Sequence, residues 1–218
     1  ASTIETQLNN GTSVIVETAE AGTNLEAGDI FLTTSINKSS GANASLTLKA
    51  HRNIFFGDDY SNPTSFGTIS STSSKLNVVL WSDSDGNNDG GIWLPEGSGI
   101  TTNGGHIWMG GGAGSTTWNG LTVGDSYAVG SSFSSAEGNS IARGVAINGN
   151  IDASGATLGG DIFLKGLASQ ASYYHSARGV SISGSVTTNY NGNISIEGIA
   201  KGASDAVAIG DTSGALTD

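Results

Sequence analysis

The chain has 218 residues, no cysteine, 34 glycines, only 2 prolines and a formal net charge of −11 at pH 7. That balance argues against a nucleic-acid partner, because little basic charge is present to neutralise phosphates. The missing thiols exclude disulfide staples, thiolate metal sites and a cysteine nucleophile, and no run of about 18 apolar residues is present to insert in a membrane.

Residues 4–11 suit a short helical turn or the lead-in to a strand, and residues 12–18 alternate apolar and polar as a strand does. Gly28-Asp29-Ile30-Phe31-Leu32 follows, and the same five residues recur at 160–164. Two more short alternating runs occupy residues 44–50 and 53–57, and another begins at Lys75. Asp83, Asp85, Asn87 and Asp89 place oxygen donors at alternate positions, the opening cadence of a calcium loop. The EF-hand pattern then breaks, with Asn88 at the glycine position and Leu94 where a bidentate glutamate belongs. Calcium is therefore the one cofactor the sequence suggests, against the plainer reading of a polar turn.

The second half is organised by repetition. Ala142-Arg143-Gly144-Val145-Ala146-Ile147 returns 35 residues later as Ala177-Arg178-Gly179-Val180-Ser181-Ile182, and a third opening stands at Ala206-Val207-Ala208-Ile209. Each of the first two copies is followed by a Gly-x-Ile-x-Leu/Ile-x-Gly segment, at Gly160 and at Gly192. Strands this short cannot bury a face alone, whereas stacked coils build a continuous core. The expected fold is all-β, a β-solenoid formed by the whole chain, 1–218, as one segment. Spacing predicts roughly 20–25 residues per coil, about nine or ten coils, and a rod of roughly 45 Å at about 4.8 Å per coil. A β-sandwich also uses short strands and polar turns, but it predicts no self-similarity.

Insertions interrupt the repeat near residues 57–68, 112–141 and 168–177, and insertions in solenoids map to loops on a binding face. They carry Trp118, Tyr127, Tyr173, Tyr174 and His175, and the latter two run into Arg143 and Arg178. These seven residues are the candidate ligand-binding set, because aromatic faces with polar edges suit sugars or a protein partner. The competing expectation is that each loop folds its aromatics over the coil. Trp93 and Trp108 flank a short loop, which makes them candidate neighbours. The glutamates are scattered and the three histidines share no motif with a serine and an acid, so the chain is expected not to be an enzyme.

The run Ile4-Glu5-Thr6-x-Leu8-Asn9-Asn10-Gly11-Thr12-x-Val14 resembles the repeat region of filamentous-haemagglutinin-type exoproteins. So do Ala44-x-Leu46-Thr47-Leu48-Lys49-Ala50-x-Arg52-Asn53-Ile54 and Lys75-Leu76-Asn77-Val78-x-Leu80-x-Ser82-Asp83-x-Asp85-Gly86. These are the large adhesins of Gram-negative two-partner secretion. The resemblance implies a right-handed parallel β-helix, secreted to the cell surface. It implies as partner a glycan or protein on a host or neighbouring cell. The family's secretion-signal motifs are not visible, so the chain is expected to be an internal stalk segment. A filament subunit that self-associates along the solenoid axis is one alternative, suggested by the lack of an evident capping element, and a polysaccharide-active β-helix enzyme is the other.

Overall fold

In the computed structural model, which describes residues 1–19, 28–60, 63–130, 142–168, 177–200 and 205–210, the alternating runs become strands of a parallel β-helix. After a helix, α1 (Ser2–Asn9), the first coil comprises β1 (Val14–Glu17), β2 (Ile30–Phe31) and β3 (Ile36–Lys38). The second is β4 (Ala44–Lys49), β5 (Ile54–Phe55) and β6 (Thr68–Ser71), and the third β7 (Leu76–Ser82), β8 (Ile92–Leu94) and β9 (Gly99–Thr101). The fourth runs through β10 (Ile107–Trp118), β11 (Leu121–Ser126), β12 (Ala128–Gly130), β13 (Arg143–Ile147) and β14 (Asn150–Asp152). The fifth is β15 (Ile162–Ala168), β16 (Arg178–Ile182) and β17 (Val186–Thr187), and the sixth β18 (Ile194–Ala200) and β19 (Val207–Ile209). Equivalent strands stack in parallel into three sheets: β1-β4-β7-β10-β15 with β18, β2-β5-β8-β13-β16-β19, and β3-β6-β9-β14-β17.

Register is carried by inward aliphatic columns. Val14, Leu46, Val78, Ile107, Ile162 and Ile194 are successive partners on the first sheet. Ile30, Ile54, Ile92, Val145, Val180 and Val207 line the second. Ile36, Ile69, Ile100, Ile151 and Val186 line the third. Most of these residues are fully buried in one continuous core, and each such side chain contributes about 1.5–3 kcal/mol. A one-residue slip would turn a whole column outward.

The coil is longer than the 20–25 residues expected, and the coils are fewer than nine or ten. Val14 pairs with Leu46 and Leu46 with Val78, so one turn takes 32 residues. Six stacked strands about 4.8 Å apart span about 24 Å. The 35-residue shift from Arg143 to Arg178 is one whole coil. The two motifs of each repeat lie on different faces of the path: Arg143–Ile147 on the second sheet and Ile162–Ala168 on the first. The repeated Gly-Asp-Ile-Phe-Leu likewise serves the second sheet at Ile30 and the first at Ile162. Its aspartate does the same work in both places. A carboxylate oxygen of Asp29 accepts the Asn53 N–H at 2.9 Å, and one of Asp161 accepts the Asn193 N–H at 2.8 Å.

Corners carry their own polar column. Lys38, Ser71 and Thr102 point inward where the third sheet turns toward the first, and all three are buried. Each donates to carbonyls of the turn that follows: Lys38 to Ser40 and Gly41, Ser71 to Ser74, and Thr102 to Gly105 at 2.6 Å. Burial pushes the Lys38 amine below its ordinary pKa. The buried carbonyls are thereby paired without a second chain crossing the core.

The first end of the solenoid carries a cap that sequence reading did not identify. Leu8 of α1 joins the aliphatic core, with Ile4 packed against it. A Glu5 carboxylate oxygen accepts the N–H of Asn37 at 2.7 Å. The Asn9 side-chain oxygen accepts those of Ser39 and Ser40 at 2.8 and 3.0 Å. The exposed edge at β3 is thus closed by side chains rather than by another strand.

Candidate functional site: the hairpin over the first sheet

On the outer face of the first sheet, Ile15, Thr47, Val79, Trp108 and Phe163 form one column and Glu17, Lys49 and Trp81 another. The first column presents Val79 and Trp108 at the third and fourth coils and the second presents Trp81 at the third, beside the second insertion. After Met109 the chain meets Gly110-Gly111-Gly112 and leaves the sheet. A side chain at Gly111 would stand 2.4 Å from the Tyr127 carbonyl oxygen, and Gly112 has φ +106°. The strand then turns back through Asn119 (φ 48°) and Gly120 (φ 77°), the pair of left-handed residues a type I′ hairpin demands. It resumes its place as β12, pairing Ala128 with Gly166 and Gly130 with Ala168.

The inserted hairpin lies against the face it left. Val123 closes with Val79, Trp81 and Trp108 into a second buried cluster, with Trp118, Leu121 and Phe163 partly buried around it. The Trp81 indole N–H donates to the Gly112 carbonyl at 2.7 Å. The tip is fixed by Asn119, whose amide donates to an Asp161 carboxylate oxygen at 2.7 Å. His106 Nδ1 accepts the backbone N–H of Asp161 at 2.9 Å, so the proton of the neutral ring sits on Nε2. Burial lowers the His106 pKa against the pull of Asp161.

Between this hairpin and the first two coils is a groove of about 450 Å³. Its floor includes Ile15, Thr47 and Lys49, and its wall Leu121 and Thr122. The Lys49 ammonium pairs with Glu17 at 2.6 Å and lies 4.8 Å from the centre of the Trp81 ring.

Trp118 belongs to the hairpin cluster, 5.7 Å from the His106 ring and 6.0 Å from Phe163. Tyr127 lies on the same outer face beneath the Lys165 ammonium at 4.7 Å, and burial together with the Glu197 carboxylate raises its phenol pKa. Arg143 and Arg178 stack in register at the start of the second sheet, around the corner from Trp118. Arg178 is buried, with Nε 3.7 Å from an Asp205 carboxylate oxygen, so it presents no surface to a ligand. Tyr173, Tyr174 and His175 lie outside the described residues. The expected groove of seven is therefore not assembled from the described members. Trp93 and Trp108 are not neighbours either: Trp93 stacks on Phe55 at 4.9 Å on the second sheet, and Trp108 is on the first. The first insertion places Tyr60 on Phe55 and Phe31, at 4.8 and 5.0 Å, so it too folds an aromatic over the coil.

In the calcium-like loop the side-chain oxygens of Asp83, Asp85 and Asn87 accept from the loop's own N–H groups. Asp83, buried and at φ 47°, accepts the N–H groups of Asn88 and Asp89 at 3.0 and 3.2 Å. Asp85 accepts from the Asn87 amide at 2.8 Å, and Asn87 from the Asp89 N–H at 2.9 Å. Among the described residues no three His, Asp or Glu side chains converge as a metal-binding group.

Sequence reading missed Ile15, Thr47, Lys49 and Thr122 as a site. The available signal was Asn119-Gly120 between Thr117-Trp118 and Leu121-Thr122, a strong hairpin signature. Comparison with protein-family models, curated proteins and solved structures finds no match.

Proposed function

We propose that the chain is a non-catalytic stalk segment of a large secreted adhesin at a Gram-negative cell surface, and that it holds its outer-face additions toward a partner on another cell. The observation that carries this reading is where the additions lie. The hairpin and the Tyr60 loop are built outside a coil whose interior is filled by aliphatic columns. Such a rod resists bending through its ladders and tolerates change on its walls. The repeat motifs that resemble the exoprotein family support the same assignment. The test is binding of the purified chain to a glycan array and to whole cells, beside Trp118→Ala. Binding that falls several-fold in the variant supports the reading. A chain that binds neither glycans nor cells removes the adhesive role and leaves a scaffold.

One observation favours a second reading, a filament stacked end to end. In the sixth coil, Ile194 and Ile209 of the core columns are 43% and 68% exposed. A second copy could continue them.

A further inference from the structure

The groove lies beside β11 of the hairpin. Among the described residues β11 pairs with β10 alone. Trp118 and Leu121 close the two-residue turn as the first hydrogen-bonded pair. The alternation of an antiparallel ladder then turns the N–H and C=O of Thr122, opposite Thr117, away from β10; Thr122 is exposed, whereas Gly124, the next such position, is buried. Thr122 lines the groove.

The column below is only half roofed. The hairpin covers Val79, which is 1% exposed, whereas Ile15, two coils away in the same column, is 68% exposed. A strand beside β11 would lie in the hairpin's layer, about 10 Å above the first sheet, and carry the roof outward over Ile15. The packing it would make continues the cluster that the hairpin already forms. The groove offers little aromatic surface to a sugar, since Trp81 is 6% exposed beneath Gly112 and Lys49.

We propose that this groove binds an extended polypeptide segment of a partner protein. The segment pairs with β11 at Thr122 as a third strand and sets an apolar side chain on Ile15. This rests on the surface-binding reading above and narrows its partner to a protein. Main-chain pairing supplies affinity, and the alternate side chains facing the floor supply selectivity.

The experiment uses the full chain and a labelled decapeptide of alternating valine and threonine with terminal lysines, beside the same peptide N-methylated at alternate residues. Thr122→Pro removes an outward N–H that no described strand uses, a position where proline is tolerated. Ile15→Lys changes the floor at an exposed position. Binding is expected to weaken at least 10-fold in each variant and for the methylated peptide, with thermal midpoints unchanged. Hydrogen exchange at the Thr122 amide should slow when the unmethylated peptide is added. No peptide binding, equal binding of the methylated peptide, displacement of the peptide by a glycan, or self-dimerisation lost in Thr122→Pro would each overturn the proposal. Cell binding that is unchanged in Thr122→Pro overturns it and leaves the adhesive reading standing. Peptide binding with these dependences, in a chain that binds no cell, keeps the proposal and removes the adhesive reading.

Discussion

Asp83 shows how one buried carboxyl sets the pH response of a corner. Its φ of 47° is rare outside glycine, and its backbone oxygen accepts the N–H of both Gly86 and Gly112. The residue therefore ties the polar loop to the glycine run from which the hairpin leaves. Burial pushes its carboxyl up to about 6, assisted by the charges of Asp85 and Asp89 and opposed by the two N–H groups it accepts. A folded pKa above the ordinary carboxylate value means that the native state holds the proton longer. Stability is then greatest below about pH 4 for this group and is lost as pH rises through about 6. Asp83→Asn keeps an oxygen acceptor and removes the titration. Urea unfolding between pH 4 and 7 should show the wild type losing on the order of 2 kcal/mol relative to the variant across that window. Parallel curves for the two proteins would show that the carboxyl is ionised throughout.

At the scale of elements, the hairpin is an addition to a coil that does not need it. Its two ends meet where Gly111 pairs with Ser126, so excising residues 112–126 leaves a short join between Gly111 and Tyr127. The excised protein should keep its far-UV β spectrum and unfold cooperatively. Trp81 and Trp108, now uncovered, should shift their fluorescence to the red. Loss of the β spectrum would mean that the outer cluster, and not the inner columns, nucleates the fourth coil. Strands, their inward faces and the solenoid class were legible in the sequence, because Val145, Ile147, Val180 and Ile182 alternate and repeat. Coil length was not. Period-2 alternation is the same on all three faces, and Gly-Asp-Ile-Phe-Leu opens strands on two of them, so a recurring motif marks a corner without saying which corner. The site was hidden for a related reason: Ile15 and Leu121 are distant in sequence and become walls of one groove only through the 32-residue register and the departure of β10.

For the whole molecule, the helix over the first coil bears on assembly. A stack of coils has a core open at both ends and ladder groups unpaired at both, a template for addition of another coil. Here α1 closes one of them, with Leu8 in the core and Glu5 and Asn9 holding the N–H groups of Asn37, Ser39 and Ser40. The sixth coil leaves Ile194 and Ile209 exposed. Removing residues 2–9 would uncover the core of the first coil for another copy, whose sixth coil exposes Ile194 and Ile209, in the parallel sense the ladders already follow. The shortened chain should therefore form concentration-dependent head-to-tail oligomers in sedimentation velocity, while the intact chain sediments as one smaller species. The double variant Glu5→Ala, Asn9→Ala should fall between them, losing on the order of 1 kcal/mol for each of these exposed side-chain-to-backbone hydrogen bonds. If the intact chain forms the same oligomers, α1 does not govern stacking and the filament reading gains. If the shortened chain stays monomeric and folded, the helix is only a stabilising lid, and growth along the axis requires a feature other than an open coil.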